Sequence, residues 1–118
     1  MIRVLPADEQ QTAALLRESG LAAPAEALVM LEGDTCIGHV LFRAEGEAIR
    51  LLGLRAEEEP LREALLRAAL NLGQARGLTD AVCDLTALAP MLLRLGFGEN
   101  DKEWRICIRE FFNISRCH

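Results

Sequence analysis

Residues 49–77 constrain the fold more than any other stretch of this sequence. The stretch opens with an apolar run at 49–54 and continues through a charged turn at 55–60. Apolar residues then recur at intervals of three and four, the spacing of one buried helix face: Leu61, Ala64, Leu65, Ala68, Ala69 and Leu72. Pro60 suits the first turn of a helix, where its missing N–H costs nothing, and Gly77 ends the unit. The pattern predicts a strand, a tight turn and a helix that begins beside the strand's end, a place where α/β folds often bind anions.

The size and charge of the chain argue against several classes of protein. Its 118 residues are enough for one domain with its own core, so we expect a single domain over 1–118, with 113–118 as a tail. The formal net charge of −5 disfavours nucleic-acid binding, which needs a basic face. No apolar run approaches the roughly 20 residues of a membrane span, and the first residues lack the apolar segment of a signal peptide. We therefore expect a cytoplasmic protein with neither a nucleic-acid nor a membrane partner.

The cysteine and histidine pattern disfavours a metal or redox site. The four cysteines are Cys36, Cys83, Cys107 and Cys117. None belongs to a CxxC pair, so we interpret them as buried free thiols rather than zinc ligands or a thioredoxin-like motif. The adjacent Cys117 and His118 cannot close a tetrahedral site by themselves, and we expect no metal. His39 lies in a predicted strand, where we interpret it as a half-exposed sheet side chain.

The remaining segments alternate between strand and helix patterns. Asp8 is a candidate N-cap for a helix at 9–19, and Gly33 with Asp34 predicts a hairpin turn. The predicted strands lie at 2–5, 27–32, 35–43, 48–55, 81–85, from 97 and at 103–112. The third predicted helix, a short one, lies at 86–95. The resulting order, β-α-β-β-β-α-β-α-β-β, predicts an α/β (α+β) fold: one mixed sheet with helices on both faces.

This order resembles the GCN5-related N-acetyltransferase (GNAT) superfamily over residues 2–112. Two stretches carry the resemblance. The run IRLLGLR followed by LREALLRAALNLGQARG is similar to the family's central strand and helix, and APMLLRLGF at 89–97 resembles its late helix ending in Leu-Gly-Phe. The family's second N-terminal helix, which often helps to form the wall of the acceptor site, is replaced here by residues 21–25 alone.

The resemblance implies a site for acetyl-CoA between the strands at 48–55 and 81–85. In the family these strands splay apart, the pantetheine bonds to the central strand's backbone, and the pyrophosphate lies on amides at the start of the following helix. Carried over to this sequence, the cofactor-binding residues are Leu52, Leu54, Arg55, Leu61 and Arg62. The implied acceptor is a small-molecule or peptide amine.

The loop that would hold the pyrophosphate departs from the family pattern. The family has Arg or Gln, two residues, Gly, one residue, then Gly or Ala; those positions here are Glu57, Pro60 and Arg62. Pro60 supplies no N–H, and like charges at ~4–6 Å repel by on the order of 1 kcal/mol each. Glu57–Glu59 also have a purely structural interpretation, because acidic residues stabilise a helix start. We expect a weakened, degenerate cofactor site.

The catalytic residues are less clear than the arrangement of strands and helices. Many family members have a Tyr that protonates the departing CoA thiolate, and this sequence has Leu92 at that position. Asp84 is a weak candidate for an acid or base, but it is also interpreted as a solvated or helix-capping carboxylate. Two functions remain open. The chain is an N-acetyltransferase in which Arg55 and Arg62 reach the phosphates, or a non-catalytic module that binds a partner or forms a homodimer through the apolar segment 104–112.

Overall fold

The computed structural model describes residues 1–22 and 24–116 and contains one sheet of seven strands. The elements are β1 (Ile2–Pro6), α1 (Glu9–Ser19), β2 (Glu26–Glu32), β3 (Thr35–Glu45), β4 (Ala48–Ala56), α2 (Glu59–Ala75), β5 (Asp80–Cys83), a 3₁₀ turn (Thr86–Leu88), α3 (Ala89–Arg94), β6 (Gly98–Asn100), β7 (Glu103–Cys107) and α4 (Ile108–Arg116). The strand order is β1-β2-β3-β4-β5-β7-β6. Only the β4–β5 pair among these strands is parallel.

Local signals in the sequence explain where the first elements begin and end. The Asp8 carboxylate accepts a hydrogen bond from the Gln11 N–H at 2.8 Å, and the Gln11 side chain accepts one from the Asp8 N–H at 3.0 Å. This capping box starts α1. Gly20 ends it with a φ of 69°, which a glycine adopts without strain. The helix is therefore fixed at both ends by its own residues.

The core lies on both faces of the sheet. The larger cluster packs α2, α3 and α4 against one face, and includes Val40 and Phe42 of β3. Leu41, between them in the sequence, belongs to a smaller cluster with Leu16 of α1 on the other face. Successive strand residues point to opposite faces, so the helices cover both sides, as the sequence predicts.

The prediction of one long strand at 103–112 is wrong. Strand β7 ends at Cys107, and α4 begins at Ile108 and continues through residues 113–116, which were expected to be a tail. Ile108 and Phe111 recur three apart and are 1% and 2% exposed, so α4 has a buried face of its own. The Arg67 guanidinium of α2 lies 5.1 Å from the centre of the Phe111 ring. Strand β5 also ends two residues before the predicted Leu85.

The burial of the same C-terminal segment corrects the expected dimer surface. Trp104, Ile106, Ile108 and Phe111 all lie in the core of this chain. Their side chains make contacts within one molecule and are not exposed for the expected dimer contact, and the homodimer itself stays a prediction.

The cysteines do not share one environment. Cys83 is buried as predicted and Cys107 is partly buried, but Cys36 is exposed. It lies next to the β2–β3 turn, opposite Leu31 of β2, and the pairing of β3 with β4 begins only at Gly38, so β4 does not extend beside it. Cys117 and His118 lie outside the described residues.

No helix in residues 1–22 and 24–116 has the length and apolarity needed to cross a bilayer. The same residues contain no group of three or more His, Cys, Asp and Glu side chains placed to hold a metal ion.

Candidate functional site

Strand β4 has an unpaired backbone edge at its C-terminal half. Its parallel pairing with β5 ends where Leu51 lies opposite Cys83, although β4 itself continues to Ala56. The edge of residues 52–56 that faces β5, here called the open edge, therefore has no strand partner among the described residues. Backbone N–H and C=O groups are strong hydrogen-bonding groups that seek partners, so the open edge can bind an extended chain that carries amides.

A bulge in β4 lies at the start of the open edge. In the pairing with β3, Leu41 lies opposite Gly53 and Phe42 lies opposite Leu51, so Leu52 is an extra residue in β4. A bulge bends its strand and changes the direction of the backbone groups beside it. Gly53 inside an apolar strand is the sequence signal that could have predicted this feature.

The side chains of the predicted cofactor-binding residues lie on different faces of the sheet, while their backbones belong to consecutive parts of β4 and α2. Leu52 packs against the smaller cluster on the α1 face, and Leu54 packs against the larger cluster on the other face. Arg55 is exposed, and Leu61 is partly buried in the first turn of α2. The first three of these residues therefore belong to the open edge, and the fourth lies at the helix that follows it.

The start of α2 offers few backbone donors to an anion. Pro60 has no N–H, and the Leu61 N–H already donates to the Glu58 carbonyl at 3.1 Å. Glu58 is the N-cap residue, and its side chain makes no capping hydrogen bond. The acidic turn, defined here as Glu57, Glu58 and Glu59, therefore presents three carboxylates and only the backbone amides of its own residues.

Arg62 contacts the backbone of the acidic turn. Its Nη1 donates to the Ala56 carbonyl at 2.7 Å and to the Glu57 carbonyl at 3.1 Å. A charged donor makes stronger hydrogen bonds than a neutral one, so this side chain holds the end of β4 to the first turn of α2. The predicted role of Arg62 at the phosphates stays a prediction.

A cation that sequence reasoning missed lies beside the acidic turn. Arg94 Nη2 of α3 lies 2.9 Å from Glu63 Oε1 and 3.6 Å from Glu59 Oε1, joining α3 to the first two turns of α2. Its hydrogen bond is the main cause of the lowered pKa of Glu63. Nothing in the linear sequence marks this contact, because Arg94 is more than thirty residues away from both partners.

The residues considered for proton transfer near the end of β5 have different environments. Asp84 is exposed and directly follows the strand, whereas Leu92 is buried in the core. Burial raises the pKa of the Cys83 thiol to about 11, so this sulfur is protonated near neutral pH. Cys83 is therefore no thiolate nucleophile, and Asp84 stays a candidate.

A groove of about 740 Å³ adjoins the end of the open edge. It is lined by Ile2, Leu15, Glu18, Glu32, Thr35, Cys36, Ile37, Gly38, His39, Arg55, Ala56, Glu57, Glu58 and Leu61. His39 is half-buried, as predicted, and lies directly opposite Arg55 across the β3–β4 pair. Burial and then the Arg55 charge lower the pKa of His39, against a smaller opposite effect of Glu18. The groove thus combines a neutral imidazole, one guanidinium and several carboxylates near neutral pH.

Comparison with known proteins identifies the fold. No protein-family model and no curated protein matches this sequence. Among solved structures, the ribosomal-protein-S18-alanine N-acetyltransferase from Escherichia coli matches with a TM-score of 0.72 and 11% identity, over 92% of this chain and 94% of that one. A GNAT acetyltransferase from Brucella melitensis in complex with acetyl-CoA matches with a TM-score of 0.66 and 17% identity, over 91% and 88%. An acetyltransferase from Bacillus subtilis in complex with CoA gives 0.68 and 8%, over 91% and 99%. The chain therefore has the GNAT fold, as its resemblance to that superfamily predicts.

Proposed function

We propose that this chain is an N-acetyltransferase that transfers the acetyl group of acetyl-CoA to an amine and binds the cofactor's phosphates weakly. The observation that carries the proposal is the open edge of β4, which begins at a bulge and ends at a helix start. Two solved structures that share this fold are complexes with acetyl-CoA and CoA. That similarity supports the choice of cofactor.

The open edge fits the pantetheine arm of acetyl-CoA. This arm is an extended chain with two amides, so it can pair with strand backbone as another strand would. The backbones of Leu52 and Leu54 lie on the edge that β5 leaves unpaired. These groups would hold the arm along β4 with its thioester near the bulge.

The acidic turn fits the pyrophosphate poorly. It places the carboxylates of Glu57, Glu58 and Glu59 where a phosphate would approach, and Pro60 removes one donor. The cations near this turn include Arg55, Arg62 and Arg94. Arg62 already donates to the carbonyls of Ala56 and Glu57, and Arg94 is already paired with Glu59 and Glu63. Binding of a polyanion here would have to compete with these carboxylates, which weakens affinity.

Direct transfer of the acetyl group to an amine requires few catalytic side chains. An amine attacks a thioester readily once the two are oriented, and a positioned backbone N–H can stabilise the charge that develops on the carbonyl oxygen. The amides near the Leu52 bulge are candidates for that donor. Leu92 in place of the family's Tyr removes one acid without preventing this route, and Asp84 remains a candidate for proton transfer.

A second candidate function has one specific observation in its favour. The acidic turn removes the feature that most strongly binds phosphates, and a fold can persist after its original function is lost. On this alternative the chain is a non-catalytic module that binds a partner or a second copy of itself.

Titration calorimetry with acetyl-CoA at low and high salt tests the proposal. We expect saturable binding by the natural chain. We expect the triple variant Glu57→Gln, Glu58→Gln, Glu59→Gln to bind roughly tenfold or more tightly at low salt, because each carboxylate removed relieves a repulsion of about 1 kcal/mol. High salt should narrow the difference between the two proteins, since ions screen exposed charges.

A variant with the same change in net charge separates local repulsion from a general effect of charge. Glu9, Glu47 and Glu99 are exposed and lie outside the acidic turn, so changing all three to Gln should leave acetyl-CoA affinity within about twofold. Absence of binding in both the natural chain and the acidic-turn variant would refute the acetyltransferase and favour the non-catalytic module.

A further inference from the structure

The outer edge of β1 has no strand partner in the sheet. Among the described residues β1 lies at one end of the strand order and β6 at the other, so each of them has one unpaired edge. Strand β6 is only three residues long, Gly98–Asn100, and all of them are exposed. Such a short polar edge discourages pairing with another chain. Strand β1 has five residues, of which Arg3 alone is charged, so its edge is less protected.

The hydrogen bonds between β1 and β2 show which backbone groups of β1 face outwards. The Ala7 N–H donates to the Ala27 carbonyl at 3.0 Å, and the Gly33 N–H donates to the Met1 carbonyl at 3.4 Å. Both pairs continue the antiparallel register that joins the two strands. Residues in such a pair alternate between bonding to the partner strand and facing away from it. The odd-numbered residues of β1 therefore bond to β2, and the even-numbered residues face outwards.

The even-numbered residues of β1 are Ile2, Val4 and Pro6. Ile2 and Val4 each present an N–H and a carbonyl at the outer edge, whereas Pro6 presents a carbonyl alone because proline has no N–H. Unpaired strand groups of this kind are a template for another strand. The occupant that fits the outer edge is therefore an extended chain.

Exposed apolar side chains are concentrated beside the same edge. In residues 1–22 and 24–116 the large apolar side chains that are exposed are those of Met1, Ile2, Leu5 and Leu93. Ile2 is 45% exposed and Leu5 is 40% exposed. Covering such side chains removes apolar surface from water, which is favourable. A strand added to β1 would thus gain side-chain contacts as well as backbone hydrogen bonds.

We propose that the outer edge of β1 pairs with β1 of a second copy of this chain, antiparallel and centred on Val4. In this register each Val4 lies opposite the other, and the two exchange N–H to carbonyl hydrogen bonds. The Ile2 N–H of each copy donates to the Pro6 carbonyl of the other. Every N–H of the outer edge is then bonded, and the missing proline N–H leaves only the Ile2 carbonyl to water at the end of the contact.

The side chains of β1 also suit a second copy. Arg3 lies directly opposite Leu5 of the second copy in this register, so its aliphatic stem can cover that exposed side chain. The Arg3 Nη2 lies 3.4 Å from the Gly33 carbonyl oxygen, so the guanidinium points towards the β2–β3 turn. At that end of the strand the second copy contributes Asp8 and Glu9, at the start of its α1. This charge complementarity favours a second copy over an unrelated strand.

Sedimentation over a range of protein concentrations tests whether the dimer forms. A single pair of short strands is a small interface, so we expect a dissociation constant of about 1–100 µM rather than a tighter one. Leu5→Lys places a like charge opposite Arg3 of the second copy, and two-fold symmetry repeats this contact. The variant should therefore dimerise at least about tenfold more weakly. A natural chain that stays monomeric up to about 1 mM would overturn the proposal.

A compensating variant tests the register. Adding Arg3→Glu to Leu5→Lys places opposite charges across the same pair, so the dimer affinity should return to within about threefold of that of the natural chain. Leu93→Lys is the matched control, because it changes another exposed leucine, on α3, to the same charged residue. It should leave the affinity within about twofold. A dimer that Leu5→Lys does not weaken, or that Arg3→Glu does not restore, would overturn this contact.

Amide hydrogen exchange measured by NMR tests the backbone pairing without any variant. The Arg3 and Leu5 amides face β2, so they should be protected at every protein concentration. The Ile2 and Val4 amides face outwards and should become protected only in the dimer. Their exchange should slow at least about tenfold once ~90% of the chains are dimeric, because only the monomer leaves them open to water. Unchanged exchange of both amides in a sample that sediments as a dimer would overturn the proposal.

Discussion

At the scale of single residues, Gly38 lies where β3 packs closely against both α2 and the end of β4. It is buried in β3, and a Cβ there would lie 2.8 Å from the Arg55 carbonyl oxygen and 3.1 Å from Leu65 Cδ1. Gly38→Ala should therefore destabilise the fold by about 1–3 kcal/mol, since the backbone of β4 must shift. Urea denaturation measures this cost, and acetyl-CoA affinity should fall in the same variant because the shifted atoms belong to the open edge.

A glycine in an open environment provides the control. At Gly98 of β6 the nearest atom to an added Cβ is the Arg105 carbonyl oxygen at 3.9 Å, an ordinary contact. Gly98→Ala should change the free energy of unfolding by no more than about 0.5 kcal/mol. Equal stability of the two variants would mean that β3 and β4 approach each other less closely than described.

Single residues also show which parts of the candidate site can be predicted from the sequence. Glu57 and Pro60 could be assigned to the turn from the sequence, because a turn is decided by neighbours along the chain. Arg94 could not be placed, because its partners Glu59 and Glu63 depend on how α2 and α3 pack. The partners of Arg62 are backbone carbonyls only five and six residues away, at Glu57 and Ala56. His39 was correctly expected to be half-exposed, but its place in a groove depends on α1 and the acidic turn, which lie far from it in sequence.

At the scale of elements, α4 carries the clearest prediction. Phe111 is 2% exposed and lies edge-on to Phe97 at 6.4 Å between ring centres. Phe111→Ala should destabilise the fold by about 3–5 kcal/mol, because it removes a large buried ring and leaves a cavity. Asn113→Ala, on the exposed side of the same helix, should stay within about 0.5 kcal/mol. A cost below about 1 kcal/mol for Phe111→Ala in thermal or urea unfolding would contradict the packing of α4.

The elements that were predicted well are those with a clear period and end signals. Helices α1 and α2 have caps, glycines and three- and four-residue spacing, and β2–β4 alternate between turns. The segment 103–112 failed because the strand pattern of β7 runs into α4 without a glycine or proline between them. A short apolar run without such a break does not distinguish a strand from a buried helix.

At the scale of the whole molecule, the adjacency of β4 and β5 followed from the sequence because few arrangements satisfy it. A three-strand meander and a right-handed β-α-β crossover leave β4 and β5 adjacent and parallel. The sequence could not predict the residue at which the pairing of β4 with β5 ends. That point, Leu51 opposite Cys83, depends on the lengths of β4 and β5 in the folded sheet, and it creates the open edge.

Folding stability should fall in two steps as the pH is lowered. Hydrogen bonds to Arg76 and Arg94 are the main causes that lower the pKa of Glu26 and of Glu63 below 4.5. These carboxylates stabilise the fold above the unfolded value of 4.5, and this contribution is lost as the pH falls through their lower folded values. His39 acts earlier: its folded pKa lies below 6.5, so the unfolded chain binds a proton first and stability begins to fall below pH 6.5.

Two variants assign these steps in a series of thermal melts. We expect each step to lower the melting temperature of the natural chain by a few degrees. The first step comes from a single half-buried histidine, and the second from exposed ion pairs that contribute at most about 1 kcal/mol each. His39→Gln should remove the fall that begins below pH 6.5 and keep the one below pH 4.5. Glu63→Gln should keep the first and reduce the second, because its amide no longer titrates. A melting temperature that stays constant from neutral pH to below 4.5 would contradict the ion pairs of Glu26 and Glu63 and the environment of His39 together.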